Sequence, residues 1–344
     1  MNIYITHGHS INSVFLPENT VSPYSTETPE GFRLKCHEPD YKHFITDPVV
    51  RRRMSRAVKM GTATAMQCLS DFRKTPDAII TATGLGCLSD TEKFLRTILN
   101  NKEELLNPTP FIQSTFNTVG AQIAIMLNNR NYNNTYVHRG FSFESALLDA
   151  RMMLFDREAT HVLVGSYEEL TDTSFDIFSR LGWYRKGGKA GEGAQFFLLS
   201  TEEKSPCRLK DMAFAFRPSE SELQEKLHIF LDRNHLSPND VDCLISGESG
   251  NSEEQACYDI IEKYIPSSSV VIFKHRSGDY PTVSSFALWL GTRILQTDEI
   301  SFCLMKINRR EEIKNVLIYN HFRNINHSFI LLEKELTTDM ISCQ

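Results

Sequence analysis

The sequence contains no hydrophobic run long enough to cross a membrane. A spanning helix needs ~20 consecutive apolar residues, and no stretch of this chain approaches that length. The N-terminus begins with the strand-like segment 1–5, whereas a signal peptide would begin with basic residues followed by an apolar core. We therefore predict a cytoplasmic protein without a membrane span.

The chain also lacks an excess of positive charge. Its 37 basic and 43 acidic side chains are well mixed and give a formal net charge of -6. A protein that binds nucleic acid or an anionic membrane would show a basic footprint, so neither partner is predicted. The one basic cluster is Arg51-Arg52-Arg53 with Arg56 and Lys59, and it is either a solvated helix face or a docking site for an acidic carrier protein.

Cysteines with metal-binding or redox spacing are missing. The eight cysteines show no C-x-x-C motif, and they lie at positions 36, 68, 87, 207, 243, 257, 303 and 343. Because Cys68, Cys243 and Cys303 lie in apolar runs, we predict buried reduced thiols, with neither a disulfide framework nor a zinc site. His7-Gly8-His9 is predicted to be a loop after the first strand, since two histidines alone do not make a stable metal site. No metal and no cofactor are predicted.

The chain does contain an alternation of apolar runs with helical patterns, which is typical of an α/β protein with largely parallel strands. The alternation covers residues 1–200, pauses in the polar interval 201–206 and starts again over 207–344. We therefore predict two halves of similar βα plan within one compact unit. In the first half, residues 51–69 are predicted to be one helix, and Ser89 with Glu92 a capping box that starts another.

Between Tyr136 and Glu169 the pattern predicts a strand, a tight turn, a helix and a second strand. The turn is Gly140-Phe141-Ser142-Phe143, and Glu144 is expected to lie off the buried face of the helix that follows. That face is predicted to consist of Phe143, Ala146, Leu147, Ala150 and Leu154. Unpaired backbone N–H groups at a helix start favour a thiolate, an oxyanion or a phosphate. The arrangement is that of a nucleophile elbow without the usual nucleophile.

Several short motifs occur in the order seen in one enzyme family. They are Arg52–Arg56 early in the chain, Asn107–Phe111 and Asn117–Gly120 before the elbow, Val162–Glu169 after it, then Gly191-Glu192-Gly193-Ala194 and Lys274–Gly278. On these motifs the chain resembles the β-ketoacyl synthase family of the thiolase fold over nearly its whole length. The resemblance implies a five-layer αβαβα arrangement made of the two βα halves.

The resemblance also implies catalytic positions that this chain has changed. Enzymes of the family use a cysteine thiolate and two histidines. The cysteine position falls at Phe141, or at Ser142 if the register moves by one, and the histidine positions fall at Ser246 and Asp279. No cysteine lies between residues 88 and 206, so no realignment supplies a thiolate at the elbow.

The resemblance therefore predicts a non-catalytic subunit similar to chain-length factors. Such a subunit binds acyl carrier protein and pairs with an active ketosynthase, or with itself, in fatty acid or polyketide-type chain elongation. Aryl-polyene and flexirubin-type pigment pathways contain short proteins of this kind. The predicted dimer interface comprises Phe111, Phe116 and Val119. The predicted acyl or pantetheine pocket comprises His138, Arg139, Phe141, Lys274 and His321.

Ser142 keeps an enzymatic alternative open. With His138 or His321 as base and Glu144 or Glu168 as orienting group, it would give an active 3-oxoacyl-carrier-protein synthase-like acyltransferase or a thioesterase. The simpler interpretation of Ser142 is a helix N-cap, a position that favours serine. A third interpretation is a homodimeric module that binds the acyl carrier protein without chemistry.

Overall fold

The computed structural model describes residues 1–14, 32–184, 187–252 and 254–335. The strands are β1 (Tyr4–Ile11), β2 (Ala78–Ala82), β3 (Tyr132–Tyr136), β4 (His161–Glu168), β5 (Gly193–Ser200), β6 (Cys207–Phe216), β7 (Cys243–Ser246), β8 (Ser269–Ile272), β9 (Met305–Ile307), β10 (Asn315–Phe322) and β11 (Asn326–Lys334). The α-helices are α1 (Pro48–Arg53), α2 (Arg56–Cys68), α3 (Leu88–Asn100), α4 (Pro108–Ser114), α5 (Thr118–Met126), α6 (Ser142–Phe155), α7 (Asp172–Arg180), α8 (Glu220–Arg233), α9 (Gln255–Tyr264), α10 (Lys274–Ser277) and α11 (Ser284–Thr297). Among these described residues, no helix is long and apolar enough to cross a membrane.

The strands form one hydrogen-bonded sheet with two parts. The order is β3-β2-β4-β5-β1 in the first part and β6-β11-β10-β7-β8-β9 in the second. Strands β3, β2 and β4 are parallel to one another, as are β10, β7 and β8, and the remaining pairings are antiparallel. One residue pair, Tyr4 with Arg208, joins β1 to β6. The division of the chain at 201–206 lies between β5 and β6 and stays a prediction.

Three hydrophobic cores divide the fold into five layers. Ile79 and Leu163 face an outer core with α2, while the adjacent Ile80 and Val164 face a middle core with α6 and α11. Leu244 faces a second outer core with α8 and α9. Neighbouring residues of a strand point to opposite faces, so each sheet is covered by helices on both sides. The predicted five-layer αβαβα arrangement is confirmed.

The single helix predicted over residues 51–69 is two helices, α1 and α2. Met54 between them is extended, with ψ at 137°, and Ser55 is the N-cap residue of α2. The side chain of Gln113 holds the break: it accepts from the Ser55 N–H at 2.8 Å and donates to the Arg53 carbonyl. The apolar pattern of residues 51–69 fits one continuous helix. The extended backbone at Ser55 nevertheless ends α1 and makes Ser55 the N-cap residue of α2.

Ser89 does not cap a helix. Helix α3 begins at Leu88, and its N-cap residue, Cys87, makes no side-chain cap bond. Instead, Glu169 accepts hydrogen bonds from the Ser89 N–H at 2.9 Å and from its hydroxyl at 2.8 Å. The local S-x-x-E pattern is misleading because the carboxylate that accepts the Ser89 hydrogen bonds comes from Glu169, which is distant in sequence.

The predicted loop at His7-Gly8-His9 is also wrong, since these residues lie inside β1. Burial lowers the pKa of His9 to about 4, so its imidazole is neutral at physiological pH. In the part of the chain that the structure describes, no group of three or more His, Cys, Asp or Glu side chains could hold a metal ion.

The described cysteines are free thiols, and Cys343 lies outside the described residues. Cys68 and Cys243 are buried as predicted, whereas Cys303 is only half-buried. Burial raises the pKa of the Cys68 thiol to about 12, which leaves it protonated and unreactive.

Candidate functional site

The elbow lies at the carboxyl end of β3, where the chain turns sharply into α6. Arg139–Phe141 form a 3-10 turn, and Arg139 has a left-handed backbone with φ at 49°. Gly140 is needed in this turn because a Cβ on it would lie 2.1 Å from the ring of Phe322. The predicted order of strand, turn, helix and strand is confirmed from β3 through β4.

Ser142 is fully buried and its hydroxyl is used inside the turn. Its Oγ accepts from the His138 backbone N–H at 2.7 Å and donates to the Arg139 carbonyl at 2.8 Å. Helix α6 begins at Ser142, and its N-cap residue is Phe141, which makes no side-chain cap bond. The interpretation of Ser142 as the N-cap residue is therefore wrong. In the described part of the chain, no histidine ring nitrogen hydrogen-bonds to Ser142.

Phe141, at the cysteine position implied by the resemblance, is half-buried against the second half of the chain. Its ring meets the ring of Phe214 on β6 edge-on at 4.9 Å between centroids, and that of His138 at 5.8 Å. An apolar side chain thus projects from the start of α6 toward β6.

Glu144 lies in the interior, although its sequence position predicts a site off the buried face of α6. Only 1% of it is exposed, and its Oε1 accepts from the hydroxyl of Ser328 on β11 at 3.1 Å. Burial raises the pKa of Glu144 to about 7. The prediction fails because α6 is packed between both sheets, so the side that looks polar in sequence faces the second half.

Glu144 and Glu168 were the two candidates to orient a histidine base. Among the described residues, neither carboxylate hydrogen-bonds to a histidine. Glu168 accepts from the Gly84 N–H and from the Thr83 hydroxyl, the latter at 3.2 Å. Burial raises the pKa of Glu168 to about 8. Near neutral pH the Glu168 carboxyl is therefore mostly protonated and the Glu144 carboxyl is partly protonated.

His321 is a buried, neutral histidine. Its Nε2 donates to the Glu254 carbonyl at 3.3 Å, its Nδ1 accepts from the Asn324 N–H at 3.3 Å, and its ring stacks on Tyr258 at 4.5 Å. Burial and the nearby charge of Lys274 lower its pKa well below the usual value. With both ring nitrogens bonded to the backbone, it is not available as a base for Ser142.

The two positions that the resemblance implies for the family's histidines carry no imidazole. Asp279 forms an ion pair with Lys274 at 3.0 Å, and the Lys274 side chain is only 3% exposed. Ser246 is fully buried at the end of β7. A carboxylate held by a cation cannot donate the hydrogen bond that stabilises an oxyanion.

The end of β10 connects the Ser246 position with the elbow. A Cβ on Gly247 would lie 2.2 Å from the Asn320 Oδ1, so Asn320 packs against the residue after Ser246. Two residues further on, Phe322 covers Gly140. The fold thus brings the first-half turn and a second-half position to one boundary between the halves.

The residues predicted to line an acyl or pantetheine pocket lie at two depths. His138 and Arg139 are exposed at the elbow and Phe141 is half-buried, whereas Lys274 and His321 are buried. The exposed pair can reach an anionic group in solvent. A common pocket for all five residues stays a prediction.

Two of the family-like motifs meet in one ion pair. Glu192 is fully buried and accepts from the Arg56 guanidinium at 2.7 and 2.6 Å and from the N–H groups of Cys36 and Leu170 at 3.2 and 2.9 Å. Burial by itself would raise the pKa of Glu192, but the Arg56 guanidinium and the N–H groups of Leu170 and Cys36 together lower it below the usual value. Arg56 is therefore a structural partner of the interior and not part of a freely solvated face.

One residue of the predicted dimer interface is wrong. Val119 is fully buried, and its Cγ1 lies 2.7 Å from the place that a Cβ on Gly61 would take. Phe111 and Phe116 are 54% and 45% exposed and remain available to a partner. Because α5 is apolar on most of its sides, the sequence alone does not tell which side faces inward.

The sequence itself matches one family. Residues 28–191 match the family model described as the beta-ketoacyl synthase N-terminal domain. This part of the chain is similar to that domain. A search of curated proteins found no match to this ketosynthase-like sequence.

Solved structures extend the likeness to the second half. The ishigamide ketosynthase/chain length factor superposes with a TM-score of 0.76 at 13% identity, over 97% of this chain and 99% of that one. A type II polyketide synthase acyl-carrier protein in complex with its ketosynthase gives 0.78 at 12% identity, over 97% and 99%. The ketosynthase ApeO in complex with its chain length factor ApeC from Xenorhabdus doucetiae gives 0.72 at 13% identity, over 97% and 98%. The thiolase-like ketosynthase fold therefore covers both halves.

Proposed function

We propose that this ketosynthase-like chain is a non-catalytic subunit, similar to a chain-length factor, for carrier-protein-dependent acyl chain elongation. The observation that carries the proposal is the elbow itself. Phe141 occupies the position implied for the thiolate, and the neighbouring Ser142 hydroxyl is held by two backbone groups. Ser246 and Asp279 replace the histidines, so the groups for thioester formation and oxyanion stabilisation are changed together.

The proposed partner is an active ketosynthase, and the proposed contact surface surrounds β3. In the described residues β3 pairs only with β2, which leaves its other edge open. Unpaired strand edges and large exposed apolar patches are typical of protein interfaces. Helices α5 and α6 pack against β3, and α4 packs against α5. The exposed apolar side chains of this region are Phe111, Ile112, Phe116, Ile125, Tyr132, Val137, Met152 and Phe155. The solved complexes of ketosynthases with chain length factors support this pairing by their fold.

Phe111→Asp is expected to weaken association with the partner ketosynthase at least tenfold, since it would place a carboxylate in an apolar contact. The measurement is sedimentation or co-purification with a ketosynthase encoded beside this gene that retains its cysteine and two histidines. Ile229→Asp is the matched control, because Ile229 is 54% exposed on α8, which covers the outer face of the second half. Equal association of wild type and Phe111→Asp would contradict the proposed surface.

Sedimentation of the chain alone addresses the homodimer interpretation. A stable homodimer that binds carrier protein but does not bind the ketosynthase would favour a carrier-binding module over a chain-length factor.

We further propose polyene-type pigment synthesis as the pathway. Reconstitution with the ketosynthase, the carrier protein and a dehydratase should then give conjugated products whose absorbance is measured directly.

Ser142→Ala is expected to leave the activity of the reconstituted pair unchanged within about twofold. The same change should lower the free energy of unfolding by about 1 kcal/mol, because it leaves the partly buried His138 N–H without its hydrogen-bond acceptor, while the Arg139 carbonyl still accepts from the Ser142 N–H. Ser145→Ala is the control, since the Ser145 hydroxyl also donates to a backbone carbonyl, that of Phe141, at 2.9 Å. An acyl group found on Ser142 by mass spectrometry would support the acyltransferase or thioesterase alternative instead.

A further inference from the structure

Helix α7 and the four residues after it form a surface flap, residues 172–184. Of the residues of α7, all of which the structure describes, only Ser174 is buried. Ile177 and the following Leu181 are 50% and 66% exposed. In the described part of the chain, no strand or other helix packs closely along α7. A segment with so few buried contacts can open while the rest of the protein stays folded.

The end of the flap folds back over α7. Gly182 has a left-handed backbone, with φ at 84°, and the Trp183 N–H donates to the Phe178 carbonyl at 2.9 Å, as in a glycine-terminated helix end. The ring of Trp183 stacks on that of Phe178 at 4.1 Å between centroids, and the ring of Tyr184 on that of Phe175 at 5.5 Å. Two pairs of stacked rings therefore join the end of the flap to its helix.

An arginine from outside the flap covers each pair of rings. The guanidinium carbon of Arg33 lies 3.9 Å from the centre of the Phe175 ring, and that of Arg323 lies 4.0 Å from the centre of the Trp183 ring. Guanidinium groups stack favourably on aromatic faces. Arg33 also pairs with Asp172 at the start of α7. Arg323 belongs to the turn between β10 and β11, so each half of the chain holds the flap through one arginine.

The flap lies over the boundary between the halves at the elbow. The ring of Trp183 meets that of Phe322 edge-on at 5.8 Å between centroids. Phe322 in turn covers Gly140 of the elbow turn. The aromatic contact that Arg323 holds in place is therefore the outer layer above the elbow.

Tyr184 extends this cover to Asp279. Burial raises the pKa of Tyr184, and the negative charge of Asp279 adds to the effect, which places the two groups near each other. The chain that follows the flap is fixed to the same residue, since the Asp279 N–H donates to the Lys189 carbonyl at 2.7 Å. Lys274, the ion-pair partner of Asp279, is only 3% exposed.

We propose that the flap is a lid over the Lys274–Asp279 ion pair and that Arg323 is its latch. In the closed state Arg323 presses Trp183 against Phe322. Loss of this contact frees the flap to turn outward, because α7 itself buries little surface. The lid thereby controls the access of solutes to the boundary between the halves. It does not depend on whether the elbow is catalytic, so it goes beyond the proposed function.

Acetylation of the native Lys274 by acetic anhydride, followed by peptide mass spectrometry, measures the opening. The rate is proportional to the open fraction when the lid opens briefly and rarely. In the wild type we expect Lys274 to react at least tenfold more slowly than the exposed Lys226 on α8. Arg323→Gln should raise the Lys274 rate about fivefold, the effect of one lost cation–π contact. Arg323→Lys keeps a cation over the ring and should stay within about twofold of the wild type. Trp183→Ala should exceed Arg323→Gln, since it also removes the stack on α7.

Arg217→Gln is the matched control. Arg217 also has a left-handed backbone, with φ at 44°, and lies over the Phe216 ring at 5.3 Å, but it does not touch the flap. Its replacement should leave the Lys274 rate unchanged. The fully buried thiol of Cys243, alkylated by iodoacetamide, reports general unfolding.

Equal Lys274 rates in wild type, Arg323→Gln and Trp183→Ala would overturn the proposal. An equal acceleration at Cys243 would overturn it as well, because it would assign the effect to general unfolding. All of these rates are measured on the chain alone. Their failure would therefore leave the proposed pairing with a ketosynthase untouched.

Discussion

Arg56→Met is expected to lower the free energy of unfolding by about 3–5 kcal/mol, which is the usual cost of leaving one partner of a buried ion pair uncompensated. The Glu192 carboxylate is fully buried, and methionine retains the bulk of the arginine stem but supplies no donor. Urea unfolding of wild type and variant at pH 8 measures the loss.

The pH dependence of this loss identifies its cause. In the wild type the pKa of Glu192 is lowered, so the ion pair stabilises the protein above the unfolded-state pKa and is lost as pH falls through the folded one. In Arg56→Met the buried carboxyl takes up a proton instead, so the deficit should shrink between pH 8 and pH 5. Arg52→Met, which removes one hydrogen bond to the Pro48 carbonyl from an exposed arginine, should change stability by no more than about 0.5 kcal/mol. An equal loss in both variants would mean that general packing of α1 and α2, and not the ion pair, is responsible.

Glu144→Gln is expected to make the protein more stable than the wild type above neutral pH by about 3 kcal/mol. Folding raises the pKa of Glu144 from 4.5 to about 7, chiefly because the carboxyl is buried. Between these values the folded state keeps a proton that the unfolded state releases, so the wild-type free energy of unfolding falls as pH rises through this window. Glutamine carries no charge and can still accept a hydrogen bond from Ser328. The free energy of unfolding of the variant should therefore not fall in this pH window.

Unfolding of both proteins across pH 4 to 9 tests this expectation. The difference between them should be small at pH 4 and largest above pH 8. Glu168, whose pKa is raised to about 8, gives a second fall that both proteins share. Glu225→Gln on the exposed side of α8 is the control and should follow the wild type. Parallel curves for Glu144→Gln and wild type would show that Glu144 ionises as freely as it does in the unfolded chain.

The fold could be predicted from the sequence because its strands and helices are regular. Apolar runs at 78–82 and 161–168 and the periodic helix at 142–155 give the elbow unit without tertiary information. The order of short motifs then fixes which fold contains that unit. Boundaries were less predictable where a distant side chain decides them, as Gln113 does between α1 and α2 and Glu169 does at Ser89.

The candidate site could be predicted only in part. The resemblance predicts from sequence position that Phe141, Ser246 and Asp279 stand where the family has its catalytic residues. It does not show that Ser142 is bonded to two backbone groups, because that depends on the 3-10 turn. It also cannot show that Val119 is buried while Phe111 is exposed, since both lie in apolar segments.

By itself, the sequence determines the α/β plan, the lack of a thiol near the elbow and the likeness to ketosynthases, because these depend on local pattern and residue identity. Tertiary structure alone decides the environment of each charge. The sequence pattern puts Glu144 on a polar side of α6 and Arg56 in a basic cluster, but in the fold the second half covers Glu144 and Arg56 pairs with Glu192. Arg33 and Arg323, far apart in sequence, stack on rings of one flap. Burial and charge pairing arise only when distant segments pack together, so they cannot be read along the chain.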